Sequence, residues 1–411
     1  MQLRMPGDKN WIALHWKLQG LGLILITLLS FNPKLFHLEE YLFFFLLLTS
    51  LGVSVFQGVP FWVRSPIDLP LALLVGWILL TIPFSIDPSY SFSEWKKVAG
   101  RILVFYWAML VLARQIERDF CRRMIHIVVF GALILSFMGI ADFIVMGGTL
   151  VTRGARRAST FDGHSHWLAT YLIMAVPFVV FLYMQAKSSW QRFGYGFAAL
   201  VIGIAEFLTY SRGGWLALGL QGIGFGVLSR KRRVLVMSVL WSVGALGVIF
   251  AVSQLGYLAG IFDNQSVADR LGCWGIGVQE IARHPLVGVG FGNDIFLRLY
   301  PGDPPGDCTG GHLHNTLLMF GMGSGVPGLL LLLWVFFELI GKFSSDVKNS
   351  LNSEVGALRV AMVVMVLGYV VSMTFNYLFT GSLAYLFWIL VASGFSFRSR
   401  NETAPFGKIK S

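Results

Sequence analysis

The sequence predicts an all-α polytopic membrane protein with about twelve transmembrane helices and one large loop between the ninth and tenth spans. Two observations predict this class. Hydrophobic residues make up 55% of the chain and charged residues 13%, with a mean hydropathy of +0.69, whereas about a quarter of the residues in a soluble protein are charged. The apolar residues also occur in runs long enough to cross a bilayer, with short polar breaks between them.

Each predicted span is an apolar run of about 17 to 25 residues. The first run lacks the short apolar region and the small-residue cleavage site of a signal peptide, so we expect it to be retained as a span. Most breaks carry turn residues, as in Phe31-Asn32-Pro33 and Ile86-Asp87-Pro88. The spans are centred near Leu25, Leu47, Val75, Ala108, Leu133, Met174, Ala199, Leu220, Ala245, Leu331, Met365 and Trp388.

One break is much longer than the others and runs from about Ser253 to Leu313 without a continuous apolar run. We expect residues 253–313 to form an extramembrane subdomain. It would separate nine transmembrane helices in residues 1–252 from three more, followed by a cytoplasmic tail, in residues 314–411.

The distribution of lysine and arginine predicts which way the chain crosses the membrane, because cytoplasmic loops are enriched in both. A cytoplasmic N-terminus puts the run Arg230-Lys231-Arg232-Arg233 and the basic C-terminal tail on the inner side. The long loop then lies outside. The net charge of +11 accordingly indicates membrane lipids and anionic substrates as partners, and no nucleic acid.

Several arginines break this charge rule, because they lie on the predicted outer side. They are Arg153, Arg156, Arg157, Arg212 and Arg270. The planar guanidinium group suits phosphate oxygens, and the glycines after Arg212 permit a tight turn and close approach of the backbone to a ligand. The set predicts an anionic ligand, and a lipid-linked diphosphate is the natural candidate. The alternative is that each arginine reaches outward to lipid head groups.

A polar segment that contains His312, His314 and Asn315 meets the apolar run from Leu317 to Leu333. Ionisable groups at a membrane boundary are costly, which makes them candidates for function. Histidine has an ordinary pKa of about 6.5 and can accept a proton near neutral pH. We therefore expect His314 to act as a general base. The alternatives are that His314 caps a helix or reaches the interface, and that Asn315 caps the next helix.

The pair His314-Asn315 is followed, after nine residues, by Gly325-Val326-Pro327-Gly328. This spacing resembles the H-N-x9-G-x-x-G pattern of bacterial O-antigen ligases, and all four positions match. Ser211 through Gly214, Arg270 through Trp274 and His284 through Gly290 also resemble the shared core of the O-antigen ligase and polymerase superfamily. Ser159 through His166 departs from that core, because relatives commonly have a Pro-Asn pair there.

The resemblance implies an inverting, GT-C-like glycosyltransferase that transfers O-antigen from undecaprenyl diphosphate to a sugar hydroxyl of lipid A-core. The active site and the long loop would face the periplasm, at the bacterial inner membrane. His314 would be catalytic, and the substrates would be bound by Arg157, Arg212, Arg270, His312 and Asn315. An O-antigen polymerase or a protein O-oligosaccharyltransferase of the same superfamily is the close alternative. A lipid-linked sugar transporter is the alternative from another class, although the sequence shows no internal repeat of the kind expected for one.

Other motifs predict structure rather than chemistry. Gly325 and Gly328 permit close helix packing, and Pro327 is expected to bend its helix. The glycine-rich segment from Gly288 to Gly292 matches only part of a dinucleotide fingerprint, so we expect a turn there.

We expect no metal and no other cofactor. His164 and His166 are close in sequence but lack the further cysteine or carboxylate ligands of a zinc site, and the permanently charged arginines can stabilise a diphosphate without a divalent ion. Cys273 and Cys308 both lie in the long loop, where an oxidising compartment permits a disulfide. Two free thiols are the alternative.

Overall fold

The computed structural model describes residues 8–58, 60–114, 119–147, 157–160, 164–229, 236, 264–302, 313–350, 353–379 and 381–397. Throughout these residues the regular secondary structure is helical, which confirms the predicted all-α class. The helices are α1 (Asp8–Leu29), α2 (Phe36–Gln57), α3 (Asp68–Thr81), α4 (Pro88–Arg114), α5 (Phe120–Val145), α6 (Ser165–Gln185), α7 (Ser189–Leu208), α8 (Arg212–Leu228), α9 (Asn264–Arg283), α10 (Ile295–Leu299), α11 (Thr316–Ser350), α12 (Glu354–Met373) and α13 (Gly381–Ser396).

Six of the described helical segments are long and apolar enough to cross a membrane. They are Asn10–Leu29, Pro33–Gln57, Phe120–Val145, Ser165–Gln185, Thr316–Ser345 and Glu354–Met373, and two shorter apolar segments are Asp68–Phe84 and Gly381–Ser396. The chain is therefore a multi-pass membrane protein. Helices α4, α7 and α8 lie at three further predicted centres, but α4 carries charged residues along its length and α8 has only 17 residues. Ala245 lies outside the described residues, and the count of about twelve spans stays a prediction.

The predicted turns fall where the helices end. Asn32 accepts a hydrogen bond from the backbone N–H of Lys34 at 3.0 Å, and Pro33 begins a short 3-10 turn before α2. Asp87 in the same way accepts from the backbone N–H of Tyr90 at 2.9 Å, and Pro88 begins α4. In both turns a proline at the first helical position loses no hydrogen bond, because that N–H would have no partner within the helix.

Helix α12 forms the centre of the bundle and packs against α6, α8 and α11. It is buried on nearly every side, from Gly356 to Met373. Gln221 of α8 links three of these helices, because its Nε2 donates to the carbonyl oxygens of Ile173 at 2.9 Å and Val364 at 3.3 Å. Such an interhelical hydrogen bond can hold membrane helices in register where no hydrophobic effect drives their association.

Helix α11 is broken at Ser324 and Gly325, which have non-helical backbone angles. The groups released by the break find partners nearby: the carbonyl of Met322 accepts from the N–H of Val289 at 2.8 Å, and the carbonyl of Ser324 accepts from the Trp77 indole at 2.8 Å. The N–H of Val326 donates to the carbonyl of Pro285 at 2.7 Å. A break inside a membrane protein persists only when the freed backbone groups are bonded again in this way.

The bend lies just before Pro327, as predicted, and Gly325 contributes to it as well. Gly325 has a φ of 74° and a ψ of 178°, angles that are open essentially to glycine alone, and Pro327 follows two residues later. A side chain at position 325 would collide with the carbonyl of Leu286. The turn after α9 therefore sits directly in the break of α11, and glycine makes room for it.

The glycine-rich segment is a turn, as predicted. Gly288, Gly290 and Gly292 all have positive φ. The turn is held on the amino-terminal end of α4, because the carbonyl of Val289 accepts from the N–H of Ile86 at 3.0 Å and the N–H of Phe291 donates to Ser91 Oγ at 3.0 Å. It thus connects α4, α9 and the broken helix α11.

We expect Gly325→Ala to lower the free energy of unfolding by about 1–3 kcal/mol, because alanine is strained in this backbone region. Gly341→Ala in the same helix is the matched control, since a Cβ there has open space around it, and alanine favours a helix over glycine by about 1 kcal/mol. Thermal unfolding of the purified variants in detergent measures both effects. An unchanged midpoint for Gly325→Ala would show that the break does not depend on glycine.

Candidate functional site

Three of the predicted arginines meet in one cavity of about 190 Å3, which we call the arginine cavity. Each comes from a different part of the chain: Arg157 precedes α6, Arg212 begins α8 and Arg270 lies on α9. The other lining residues are His166, Tyr210, Ser211, Gly213, Leu271, Trp274 and Phe375. Arg153 and Arg156 lie outside the described residues.

The turn between α7 and α8 sets the direction of Arg212. Tyr210 has a φ of 52°, a left-handed angle that is uncommon for a bulky residue. Ser211 then caps α8, because its Oγ accepts from the N–H of Gly214 at 3.2 Å. Side chains at Gly213 and Gly214 would collide with Phe375 and with the carboxyl group of Glu206, respectively. The glycine pair is therefore needed for packing, while Gly213 also borders the cavity.

The arginine cavity has a strongly positive potential. Burial lowers the pKa of Arg270, and the charges of Arg157 and Arg212 lower it further. Arginine nevertheless stays protonated near neutral pH, because its ordinary pKa is above about 12. Three cations held this close gain free energy when an anion joins them, and guanidinium groups bind phosphate oxygens with two parallel hydrogen bonds.

His314 lies in a second cavity of about 360 Å3, which we call the histidine cavity. Its φ of 47° is left-handed, so this residue, like Tyr210, is one of two described non-glycine residues with a positive φ. Strained backbone of this kind is concentrated at functional sites. The other lining residues are Pro33, Phe36, His164, His166, Trp167, Asn376, Tyr377, Leu378, Gly381, Ser382 and Leu383.

The residues after His314 hold it in place. Asn315 caps α11, with its Oδ1 accepting from the N–H of Leu318 at 3.0 Å. Thr316 is fixed to the segment between α12 and α13, because its N–H and Oγ1 donate to the carbonyl of Asn376 at 3.2 and 2.6 Å. The N–H of Leu378 donates back to Thr316 Oγ1 at 3.1 Å. These bonds fix the start of α11 and with it the strained His314.

A hydrogen bond joins the segments that line the two cavities. Trp274, which borders the arginine cavity one turn after Arg270, donates its indole N–H to the carbonyl of Leu313 at 2.9 Å. Leu313 is the residue before His314. One hydrogen bond therefore joins the helix that carries Arg270 to the residue that precedes His314.

The remaining predicted residues have other positions. His312 lies outside the described residues, and Asn315 is buried as a helix cap, which is the alternative raised for it from the sequence. Gly325 and Gly328 lie at and after the break of α11, where a side chain at Gly328 would collide with Ser324. Cys273 is disulfide-bonded and Cys121 is a free, buried thiol. Cys308, the predicted partner, lies outside the described residues.

Among the described residues, no group of three or more histidine, cysteine, aspartate or glutamate side chains is arranged to hold a metal ion. The sequence pattern indicated His166 only as a possible metal ligand and gave no indication of Trp167, Asn376 or Tyr377. Trp167 directly follows the segment from Ser159 to His166, which departs from the superfamily core. This departure was the one signal in the sequence that could have indicated Trp167.

Two comparisons with known proteins bear on this site. A model of the O-antigen ligase family matches residues 197–333. An exopolysaccharide production protein of Rhizobium meliloti (strain 1021), ExoQ, is 26% identical over 291 residues, which make up 67% of this chain and 64% of that protein. Both similarities support membership of the O-antigen ligase and polymerase superfamily. The match with ExoQ spans less than two thirds of that protein's length.

Residues 197–333, which match the family model, contain most of the predicted site residues. Arg212, Arg270, His314, Gly325 and Gly328 all fall within the matched residues. Arg157 and His166 fall before them, although both border the same cavity as Arg212. The site is thus completed by residues from outside the matched region.

Proposed function

We propose that this protein transfers a glycan from undecaprenyl diphosphate to a sugar hydroxyl of lipid A-core, at the periplasmic face of the inner membrane. The observation that carries the proposal is that two cavities of different chemistry share a lining residue, His166. One cavity is lined by three arginines and the other by His314. Superfamily members are glycosyltransferase-like enzymes, which favours an enzyme over a transporter.

The arginine cavity is suited to the diphosphate of the donor. Arg157, Arg212 and Arg270 would bind its oxygens and stabilise the charge that develops as the diphosphate leaves, without reorganisation during the reaction. Because these cations are permanent, the step needs no divalent ion. The amino-terminal end of α8, which begins at Arg212, adds the partial positive charge of the helix dipole.

The histidine cavity is suited to the acceptor. His314 would take the proton of the acceptor hydroxyl as its oxygen attacks the anomeric carbon of the donor sugar. A bond forms between that oxygen and the carbon while the bond from the carbon to the phosphate oxygen breaks, and the electron pair leaves with the diphosphate. Attack opposite the leaving group inverts the configuration of the carbon. The proton ends on His314 and passes to solvent.

The identity of the acceptor separates two candidates. The description of the matching family, O-antigen ligase, favours lipid A-core. The likeness to an exopolysaccharide production protein favours a second candidate, in which the acceptor is another lipid-linked glycan and the product is a longer polysaccharide. Both use the same donor chemistry, so the arginine cavity and His314 would serve either reaction.

In vitro transfer tests the proposal. Purified protein is incubated with lipid-linked glycan and with lipopolysaccharide that lacks O-antigen, in excess EDTA and without ATP. We expect glycan-bearing lipopolysaccharide to form. Longer lipid-linked glycan without modified lipopolysaccharide would establish the polymerase, and no transfer to either acceptor would refute the proposed function. A block by EDTA that added divalent ion reverses would contradict the metal-free mechanism.

The proposal also requires a particular orientation. We expect a single cysteine introduced at Asn264 to react with an impermeant maleimide in cells whose outer membrane has been opened, because the charge distribution predicts that residues 253–313 face outward. A cysteine at Ser345, at the other end of α11, should react only after the inner membrane is opened. Native cysteines are replaced first, and transfer activity of that background is the control. The reverse pattern would place His314 in the cytoplasm, across about 30 Å of hydrocarbon from the acceptor.

A further inference from the structure

His166 lies where the two cavities meet. It is the second residue of α6, and within the described part of the chain it is the one residue that lines both the arginine cavity and the histidine cavity. Arg157, Arg212 and Arg270 stand on one side of it and His314 on the other. A substrate that reaches from the arginines to His314 therefore passes the imidazole of His166.

The ring of His166 has hydrogen-bonding capacity that the fold does not use. Its backbone carbonyl accepts from Thr170 Oγ1 at 2.9 Å, as in an ordinary helix. Neither ring nitrogen bonds to the described residues, and neither is fully enclosed by them. The half-buried ring thus presents polar atoms to the cavities, whereas the histidine on α5, His126, uses both nitrogens within the fold.

Among the described side chains that line the arginine cavity, His166 is the one with a ring nitrogen that can accept a hydrogen bond. Guanidinium groups only donate. Ser211 Oγ already accepts from the N–H of Gly214 as the cap of α8, and the hydroxyl of Tyr210 is fully enclosed. Phosphate oxygens need donors only, but a sugar hydroxyl both donates and accepts. An imidazole, with one donor and one acceptor nitrogen in its neutral form, matches a hydroxyl group.

We propose that His166 binds the donor sugar that carries the reacting carbon, through a hydroxyl next to that carbon. This inference rests on the proposed function, in which the diphosphate lies in the arginine cavity and the acceptor lies at His314. The donor sugar, which is bonded to the diphosphate and attacked by the acceptor, then lies between them. His166 is then a specificity-determining residue that distinguishes a sugar-bearing carrier from the bare diphosphate. The arginines bind both forms.

The test compares two substitutions at this position. His166→Phe keeps a planar ring and removes both nitrogens, and His166→Gln keeps a donor and an acceptor. We expect kcat/KM for transfer to fall about tenfold or more in His166→Phe and to recover most of the way in His166→Gln. Inhibition by undecaprenyl diphosphate, which has no sugar, should change by less than about twofold in either variant, because loss of an interaction confined to the sugar leaves the binding of other groups unchanged.

His284 provides a matched control. It lies outside both cavities, with its side chain half exposed near Glu280, and His284→Phe should transfer glycan at the wild-type rate. Wild-type transfer by His166→Phe would overturn the inference, and so would a parallel loss of transfer and of inhibitor binding. Should His166→Phe unfold, His166→Ala supplies the same comparison.

The two proposals fail in different ways. If the wild-type protein transfers no glycan from a polyprenyl diphosphate, the proposed function is wrong. If the wild type transfers glycan, a His314 variant does not, and His166→Phe behaves as the wild type, only the role of His166 is wrong.

Discussion

Substitution of His314 by asparagine is expected to abolish glycan transfer, with a loss on the order of a hundredfold or more, as for removal of a general base. Asparagine is chosen because it tolerates the left-handed angle at this position, where φ is 47°. Alanine removes the same imidazole but adds backbone strain. Initial rates with purified protein measure the loss, and His314→Ala should show it as well.

Two controls separate chemistry from folding. The thermal midpoint of His314→Asn should equal that of the wild type, because the bonds of Thr316 to the segment after α12 are kept. In cells, the amounts of the protein and of lipid-linked donor should also be unchanged. Lipopolysaccharide with a normal amount of O-antigen in this variant would refute the role of His314 as a base.

Replacement of Arg212 or Arg270 by lysine is expected to be nearly as damaging as replacement by alanine, with kcat/KM lowered about tenfold or more. Lysine keeps the positive charge but loses the planar fork that binds two phosphate oxygens at once. Rates measured over a range of donor concentrations test this. The expected loss reflects weaker binding of the leaving diphosphate in the transition state.

Arg283 serves as the control for this substitution. It lies on the same helix as Arg270, but its side chain is exposed and pairs with Glu280 at 2.6 Å outside both cavities. Arg283→Lys should change transfer by less than about twofold, as expected for an exposed ion pair. Full activity in Arg212→Lys and Arg270→Lys would show that these positions require only a positive charge and not the planar guanidinium group. It would also favour contacts of these arginines with lipid head groups.

Helices and turns follow well from local sequence patterns. Long apolar runs predict α5, α6 and α12, and the residues Asn32-Pro33 and Asp87-Pro88 predict the turns that the structure has there. These features depend on neighbouring residues only, through hydrophobicity, proline geometry and side-chain caps. Helices with internal charges, such as α4, are harder to assign as spans from sequence, because a buried ion pair or a ring contact offsets the cost of each charge only in the folded protein.

The residues of the candidate site could be selected from the sequence, but their arrangement could not be predicted from it. The residue types of Arg212, Arg270 and His314 indicate an anion and a base, but their approach depends on the bond from Trp274 to Leu313 and on the strained turn at Tyr210. Both are contacts between segments distant in sequence. The position of His166 between the cavities depends on how α6 packs, which no local pattern indicates.

The break in α11 shows the same limit. Proline is the usual cause of a bent helix, and Pro327 was the natural prediction. The structure has the break just before Pro327, and it also has the turn from Pro285 to Val289 bonded into that break, with Gly325 adapted to it. A sequence pattern records that a glycine is present but not which distant backbone segment occupies the space.

The size of the cavities limits what this protein can recognise. Pockets that enclose a drug-sized ligand have volumes of about 300–1,000 Å3, and the two cavities here measure about 190 and 360 Å3. Under the proposed function, cavities of this size would take the diphosphate and the sugars at the reacting ends, and a polysaccharide of many repeats would extend beyond them. Under the proposed function, the described residues act on the reacting ends of the substrates and have no means of counting repeats. The distribution of chain lengths in the product should then be inherited from the donor.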